Sequence, residues 1–431
     1  LMDINRKAAF LTLVDVETKK SYSNLALNHQ IVVTKPNHEG FVRELVYGVL
    51  EHKLTLDYYI DLLASNGVGS LKTNELTILR MGIYQIGYMN SVPEYAAVNE
   101  SVLLAKRYCR GKDGLINGIL RAYLGKRMQL KLPDRSEDEV RYLSVKYSYA
   151  PWIVELWLKH YSSDFVEQLL AAGNETPPMT VRLNWLRIMK KDLISKLEES
   201  GFEVTEGDIC SNALHVRGSR LLETEAYRMG LFTPQDESSM LVAEKLDPQH
   251  GDVVMDMCAA PGGKTMAIAE RMNNTGKIIA SDIYRRKLDL IDREAKRLGV
   301  TNVETRSWDA TREESSMFQK ADRVLVDAPC TGLGVVRRKP EIKYKEHTDE
   351  MDLLPKKQLA ILTASSSYVK PGGTLVYSTC TINPNENEKV TDAFVKRNPS
   401  FKKVERTLLL PNVNGTDGFF ICVMKKDDSL L

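Results

Sequence analysis

The chain has 431 residues, 43% hydrophobic and 27% charged, with a formal net charge of +2. Its length fits two or three domains, and its composition is that of an ordinary folded protein rather than a disordered or fibrous one. No apolar run approaches the ~20 residues of a membrane span, the charged N-terminal stretch offers no secretory signal, and so small a net charge does not by itself imply a nucleic acid partner.

Residues 1–135 read as helical throughout. Val42, Leu45, Val46 and Val49 repeat at the spacing of one apolar helical face. "ELTILRMGIYQIGYM" and "AAVNESVLLAKRYC" continue the pattern, the second opened by Pro93. An all-α bundle of roughly six helices is expected. Its last third carries Lys106, Arg107, Arg110, Lys112, Arg121, Lys126 and Arg127, with Tyr108 and Tyr123 among them. Cations interleaved with aromatic rings suit RNA phosphates and bases, although a solvated basic face has the same composition.

"KLPDRSEDE" reads as a charged linker, and residues 145–232 as a small α+β connector. Short helices broken at Pro151 lead to a strand after "NETPPM", a helix over "KKDLISKLEES", a turn at Gly201 and a strand at "FEVTE".

Residues 233–431 alternate regularly between strand and helix. "DVVMDM", "KIIASDI", "VETRSWD", "ADRVLVDAP" and "GGTLVYSTC" are the strands, with helices between them, and "GFFICVMKK" is a last strand. Such alternation predicts a parallel, doubly wound, Rossmann-like sheet whose ligand edge lies at the strand C-termini. No repeat or low-complexity tract interrupts the chain. The six cysteines (109, 210, 258, 330, 380 and 422) form no CxxC pair and the seven histidines no HxxxH spacing. A metal site is therefore not expected, and free thiols fit a reducing cytoplasm.

Four features gather at the predicted ligand edge. "DMCAAPGGKT" joins the first strand to its helix. Gly262 and Gly263 permit close backbone approach there, but the spacing is neither that of a dinucleotide fingerprint nor that of a P-loop. Asp282, Asp309 and Asp327 end three successive strands. Acids in that series suit a cofactor with a ribose, an adenine amino group and a cationic end, as S-adenosylmethionine has. The basic loop "VVRRKPEIKYK", with Arg337, Arg338, Lys339, Lys343 and Lys345, reads as a phosphate contact beside the site. Finally, Cys330 in "DAPCTG" and Cys380 in "LVYSTCTINPNENE" close neighbouring strands. One such cysteine is ordinarily core filler, whereas two point to thiol chemistry. A thiolate adding to carbon 6 of a pyrimidine makes carbon 5 nucleophilic toward a methyl donor.

With these motifs and "FTPQDESSMLVAEKLDPQHGDVVMDMCAAPGGKT", "DAPCTGLGVVRRKPEIKY" and "DGFF", the chain resembles the bacterial RsmB (Sun or Fmu) family of RNA cytosine-5 methyltransferases acting on 16S ribosomal RNA. The helical region is similar to that family's NusB-like RNA-binding domain. The resemblance implies S-adenosylmethionine as cofactor, 16S ribosomal RNA as partner with cytosine 967 as target, and a cytoplasmic monomer without membrane or metal. Cys380 would be the nucleophile, and Cys330 would assist product release. Cys258, Ala259, Ala260, Pro261, Gly262, Gly263 and Lys264 would form the cofactor loop. Asp282 would hold the ribose and Asp309 the adenine side, while Asp327 would lie between cofactor and base and Lys264 would contact the cytosine. Two alternatives stay open: the same chemistry on transfer RNA or another RNA, and a non-catalytic RNA-binding factor for ribosome assembly.

Overall fold

In the computed structural model, which describes residues 2–428, the chain forms two compact units, and each is built from two separate stretches of sequence. One comprises the chain up to Glu175 together with Val336–His347; the other comprises Thr176–Val335 and the chain from Thr348 onward.

The first unit is all helical: α1 (Ile4–Lys19), α2 (Ser23–Thr34), α3 (Glu39–Glu51), α4 (Lys53–Leu63), α5 (Thr73–Tyr88), α6 (Glu94–Tyr108), α7 (Asp113–Lys126), α8 (Glu139–Tyr147), α9 (Pro151–Leu158) and α10 (Ser163–Ala172). Up to Lys126 the described residues form seven α-helices rather than about six. The apolar stripe Val42, Leu45, Val46 and Val49 is buried as its spacing requires. The Asp3 carboxylate accepts from the Arg6 N–H and caps α1, and Pro151 opens α9 at its first position, where no N–H is needed.

The stretch Val336–His347 corrects the expectation of a phosphate-binding loop. Lys343 is 1% exposed, and its ammonium donates to the Glu51 carbonyl (2.8 Å) and to Asn174 Oδ1 (2.7 Å). The Tyr149 ring covers it at 4.6 Å. The Tyr344 hydroxyl donates to the Leu50 carbonyl and lies 3.0 Å from Ser148 Oγ. Arg337 is buried as well, leaving Lys339 and Lys345 exposed. A sequence window registers the cations of this loop but not the carbonyls that receive one of them. Tyr123 likewise lies in the helical core, so it offers no stacking face, and Arg127 pairs with Glu94 at 2.6 Å. Lys106, Arg107, Arg110, Lys112, Arg121 and Lys126 are exposed.

The second unit contains two sheets. The smaller has order β2-β3-β1-β4, all antiparallel, from β1 (Thr180–Leu183), β2 (Glu203–Glu206), β3 (Ala213–Arg217) and β4 (Phe232–Pro234). It packs with α11 (Lys190–Glu199) and α12 (Glu225–Arg228) around Val181, Leu193, Leu197, Leu214 and Phe232. After α13 (Glu237–Leu246) come β5 (Val253–Asp256), α14 (Gly263–Arg271), β6 (Lys277–Asp282), α15 (Arg285–Leu298), β7 (Val303–Ser307), β8 (Ala321–Asp327), α16 (Asp349–Ser366), β9 (Val369–Thr379), α17 (Glu388–Arg397), β10 (Phe401–Leu409), α18 (Pro411–Asn414) and β11 (Phe419–Lys426).

The larger sheet has order β10-β11-β9-β8-β5-β6-β7. Five strands are parallel, but β11 runs antiparallel to both β9 and β10, so the sheet is mixed rather than wholly parallel. The unanticipated edge strand β10 explains the difference. Its middle, Lys402 to Arg406, is exposed and, apart from Val404, charged, which lacks the apolar signal of an interior strand and suits an edge. Apolar clusters cover both faces, one around Val254, Ile278, Leu325 and Val376, the other around Met255, Val324, Leu375 and Tyr377.

Lys343→Met should cost the helical unit about 2–4 kcal/mol, because it leaves buried carbonyl and amide acceptors without their donor. Denaturant unfolding followed through the helical signal measures it.

Candidate active site

The strand C-termini of the larger sheet enclose a cavity of about 290 Å³. Asp282, Asp309 and Asp327 reach it from the ends of β6, β7 and β8, and Cys330 and Cys380 open onto it from beyond β8 and β9. Cys258 and Ala260 line it too. Ala259, Pro261, Gly262, Gly263 and Lys264 are not among its walls. The Ala259 N–H donates to the Ser281 carbonyl (2.8 Å), holding the loop against β6. The Ala260–Pro261 peptide is cis. Gly262 has φ +108, and a Cβ there would press on Ile291, so glycine is required where the chain turns into α14.

A buried arginine that the sequence did not single out supports this turn from below. Arg182 of β1 donates to the Gly263 carbonyl (2.9 Å) and reaches Glu270 of α14 through Nε (2.9 Å) and Nη2 (2.8 Å). The small sheet thus fixes the start of the helix behind the cavity.

Lys264 Nζ donates to Asp327 Oδ2 (2.7 Å), and Ser378 Oγ donates to Asp327 Oδ1 (2.8 Å). Burial alone would lower the Lys264 ammonium, but the Asp327 carboxylate, joined by the Cys380 thiol, holds it above the ordinary lysine value. A cation is therefore fixed on Asp327. Deeper in the loop, burial raises Asp256 to about 7 despite a hydrogen bond from the Thr265 hydroxyl, and the nearby Asp327 charge adds to the rise.

Cys330 and Cys380 lie with their sulfurs 3.3 Å apart. The hydrogen bond to Cys380, and burial after it, push the Cys330 thiol well up, so Cys330 is held as the thiol. The loop after Cys330 is pinned by its backbone. The Gly334 N–H donates to the Cys380 carbonyl (3.0 Å) and the Gly418 N–H to the Gly334 carbonyl (2.8 Å). A Cβ on Gly334 would lie 1.9 Å from the Gly418 oxygen. Close packing of three chain segments, rather than flexibility, selects glycine here.

Several walls were missed in the sequence. Ile283 and Tyr284, 52% and 61% exposed, follow Asp282 directly, and Trp308 precedes Asp309. An apolar pair left exposed just after a strand-end acid was the available signal for the first two. Lys357 of α16 also lines the cavity, with nothing in its sequence context to mark it. One group of ligand-like spacing, Asp208, His215 and Glu237, lies at the small sheet. The Glu237 carboxylate there already accepts the N–H groups of Asp208, Ile209 and Cys210, which assigns it to holding a turn.

This cavity fits S-adenosylmethionine: carboxylates for hydroxyl and amino groups, apolar side chains for a purine, and acids opposite a cationic sulfur. Fold and site together define a Rossmann-like, S-adenosylmethionine-dependent RNA methyltransferase carrying an all-α NusB domain and a small α+β domain. Residues 243–425 match the 16S rRNA methyltransferase RsmB/F family, residues 3–124 the NusB family, and residues 149–221 the ferredoxin-like domain of RsmF/B-like methyltransferases. The probable ribosomal RNA small subunit methyltransferase B of Bacillus subtilis is 37% identical over 442 residues, spanning 98% of each chain. The Vibrio cholerae ribosomal RNA small subunit methyltransferase B is 30% identical, over 99% of this chain and 98% of its own. The crystal structure of PH0851, 24% identical, shares the fold over 99% of both chains with a TM-score of 0.84. The chain belongs to the ribosomal RNA small subunit methyltransferase B family. No helix among the described residues is long and apolar enough to cross a membrane.

Asp256 has a folded pKa above its unfolded value of 3.8, so the stability it contributes is complete below 3.8 and lost as pH rises through about 7. Asp256→Asn should remove up to roughly 4 kcal/mol of pH dependence across that window. Unfolding midpoints measured against pH for both proteins give the difference.

Proposed function

We propose that the enzyme methylates carbon 5 of a cytosine in 16S ribosomal RNA, at the position of cytosine 967, through a covalent adduct with Cys380. The observation that carries this reading is the pair of thiols 3.3 Å apart, opening onto the cavity beside three strand-end acids. Bound S-adenosylmethionine would supply an electrophilic methyl group, with Asp282 on the ribose, Asp309 toward the adenine and Asp327 between cofactor and base.

Cys380 adds to carbon 6 of the ring, forming a C–S bond and making carbon 5 enamine-like. Lys264, ion-paired to Asp327, places a positive charge beside the attacking sulfur and the ring. Cys330 holds its proton while Cys380 is free, so it does not compete for carbon 6. Once Cys380 is tied up in the adduct that restraint is gone, Cys330 gives its thiol proton to solvent, and the resulting thiolate takes the proton of the methylated carbon 5. The C–H electron pair then forms the ring double bond, and the Cys380 sulfur departs with the pair of the C–S bond. A rigid floor under both thiols matters, because attack geometry is unforgiving. The exposed cations Lys106, Arg107, Arg110, Lys112, Arg121 and Lys126 are the proposed phosphate contacts of the helical domain, and residues 1–135, 145–232 and 233–431 are read as docking, connecting and catalytic parts of a monomer in the cytoplasm.

Cys380→Ala should abolish methylation and any covalent RNA adduct. Cys330→Ala should attack and methylate but fail to release, so a slow protein–RNA band should accumulate on denaturing gels. The slow band appearing only with Cys380→Ala would exchange the two roles. Bisulfite mapping of ribosomal RNA from cells lacking the protein identifies the base. A lost 5-methylcytosine in another RNA would move the substrate there. Separately, Asp282→Ala should weaken cofactor binding by roughly 1–3 kcal/mol by calorimetry.

A further inference from the structure

The closeness of Cys330 and Cys380 is not set by the cysteines themselves, since a thiol is a weak hydrogen-bond donor and acceptor. Both lie just past the ends of β8 and β9, where ladder pairing has stopped. The residue after each supplies the connection. Thr331 Oγ1 and Thr381 Oγ1 are 2.7 Å apart, and Thr331 Oγ1 also lies 2.6 Å from Glu386 Oε1. With its single proton donated to that oxygen, the Thr331 hydroxyl accepts from Thr381.

Glu386 is 0% exposed, and its carboxylate receives four hydrogen bonds. Oε2 accepts from the Thr331 N–H (2.9 Å) and Gln358 Nε2 (3.0 Å); Oε1 accepts from the Thr331 hydroxyl and from Asn383 Nδ2 (2.9 Å). The same Gln358 amide donates to the Pro329 carbonyl (2.9 Å), immediately before Cys330. One carboxylate thus joins the Cys330 loop, the Cys380 loop and α16. In sequence Glu386 reads as an acid in the first turn of a helix, but α17 begins only at Glu388.

We propose that Glu386 is the positioning residue that sets the distance between the two thiols. A carboxylate offers two acceptor oxygens and no donor, matching four inward-pointing donors. Glutamine has the same shape but turns one of those oxygens into an NH₂ group facing two donors. The inference rests on the reading that both thiols serve one pyrimidine, yet its geometric part can be tested without RNA.

The experiment follows diamide coupling of Cys330 to Cys380 in the full chain, in which the two thiols lose two electrons and two protons to the diazene and form one disulfide, read by peptide mass. Glu386→Gln should slow this coupling roughly tenfold or more, because the sulfurs no longer lie in register, while calorimetric binding of S-adenosylmethionine stays at the wild-type value. It should also lower kcat for methyl transfer by about 100-fold, with KM for RNA little changed. A purely structural role would lower the melting temperature and leave coupling in the folded enzyme at the wild-type rate, and that result overturns the proposal. Should Glu386→Gln not fold, Thr331→Val removes the hydroxyl contacts to Glu386 and Thr381 and keeps the Thr331 N–H bond; slower coupling supports the clamp and wild-type coupling overturns it. Slowed coupling alongside a wild-type enzyme that methylates no RNA would leave the clamp standing and refute the proposed reaction instead.

Discussion

The parallel register of β8 on β9 is the constraint on which the site depends. Asp327 stands opposite Ser378, and every pair back to Arg323 and Thr374 keeps that offset. Because side chains alternate faces, a slip of one residue would turn Asp327 away from Ser378 and carry the apolar set of the slipped strand to the wrong faces. Val324, Leu325 and Val326 against Leu375, Val376 and Tyr377 are all buried, so such a slip would expose or overcrowd two cores at once. Apolar burial on two faces thus fixes, at a distance, where two sulfurs meet.

Charge is arranged on that frame with little slack. Asp327 takes the Lys264 ammonium on one oxygen and the Ser378 hydroxyl on the other, so its position is set by the first turn of α14 and by the neighbouring strand β9. Asp256 lies one strand over, without a cation of its own, and burial keeps its proton near neutrality. Two carboxyls with different surroundings in one small region leave a single net ion pair under the thiols, rather than a cluster of repelling acids.

Much of this was legible in the sequence because it depended on local patterns. Strand–helix alternation, acids at strand ends and the glycine turn each follow from chain-local physics, and the structure places Asp282, Asp309, Asp327, Cys330 and Cys380 around one cavity. Misreadings arose wherever a side chain's role depended on a partner far along the chain. Lys343 and Tyr123 look like solvent-facing contacts until the groups that bury them are known. Arg182 meets α14 over 80 residues away in sequence, and Glu386 meets Thr331 over 50 residues before it. Strand β10 escaped because an edge strand need not look apolar, and the packing role of Gly334 escaped because a sequence cannot show which backbone presses against it.

The helical unit has a further consequence for how the polypeptide comes to be made. Its floor is completed by Lys343 and Tyr344, which leave the ribosome long after Glu175 does. At ordinary rates of synthesis that interval is roughly ten to thirty seconds. During it, the carbonyls of Leu50 and Glu51 stand without their eventual donors, and the nascent bundle is an unfinished object. The domain that in sequence comes first is therefore among the last to close, and its maturation is timed by translation of the catalytic half.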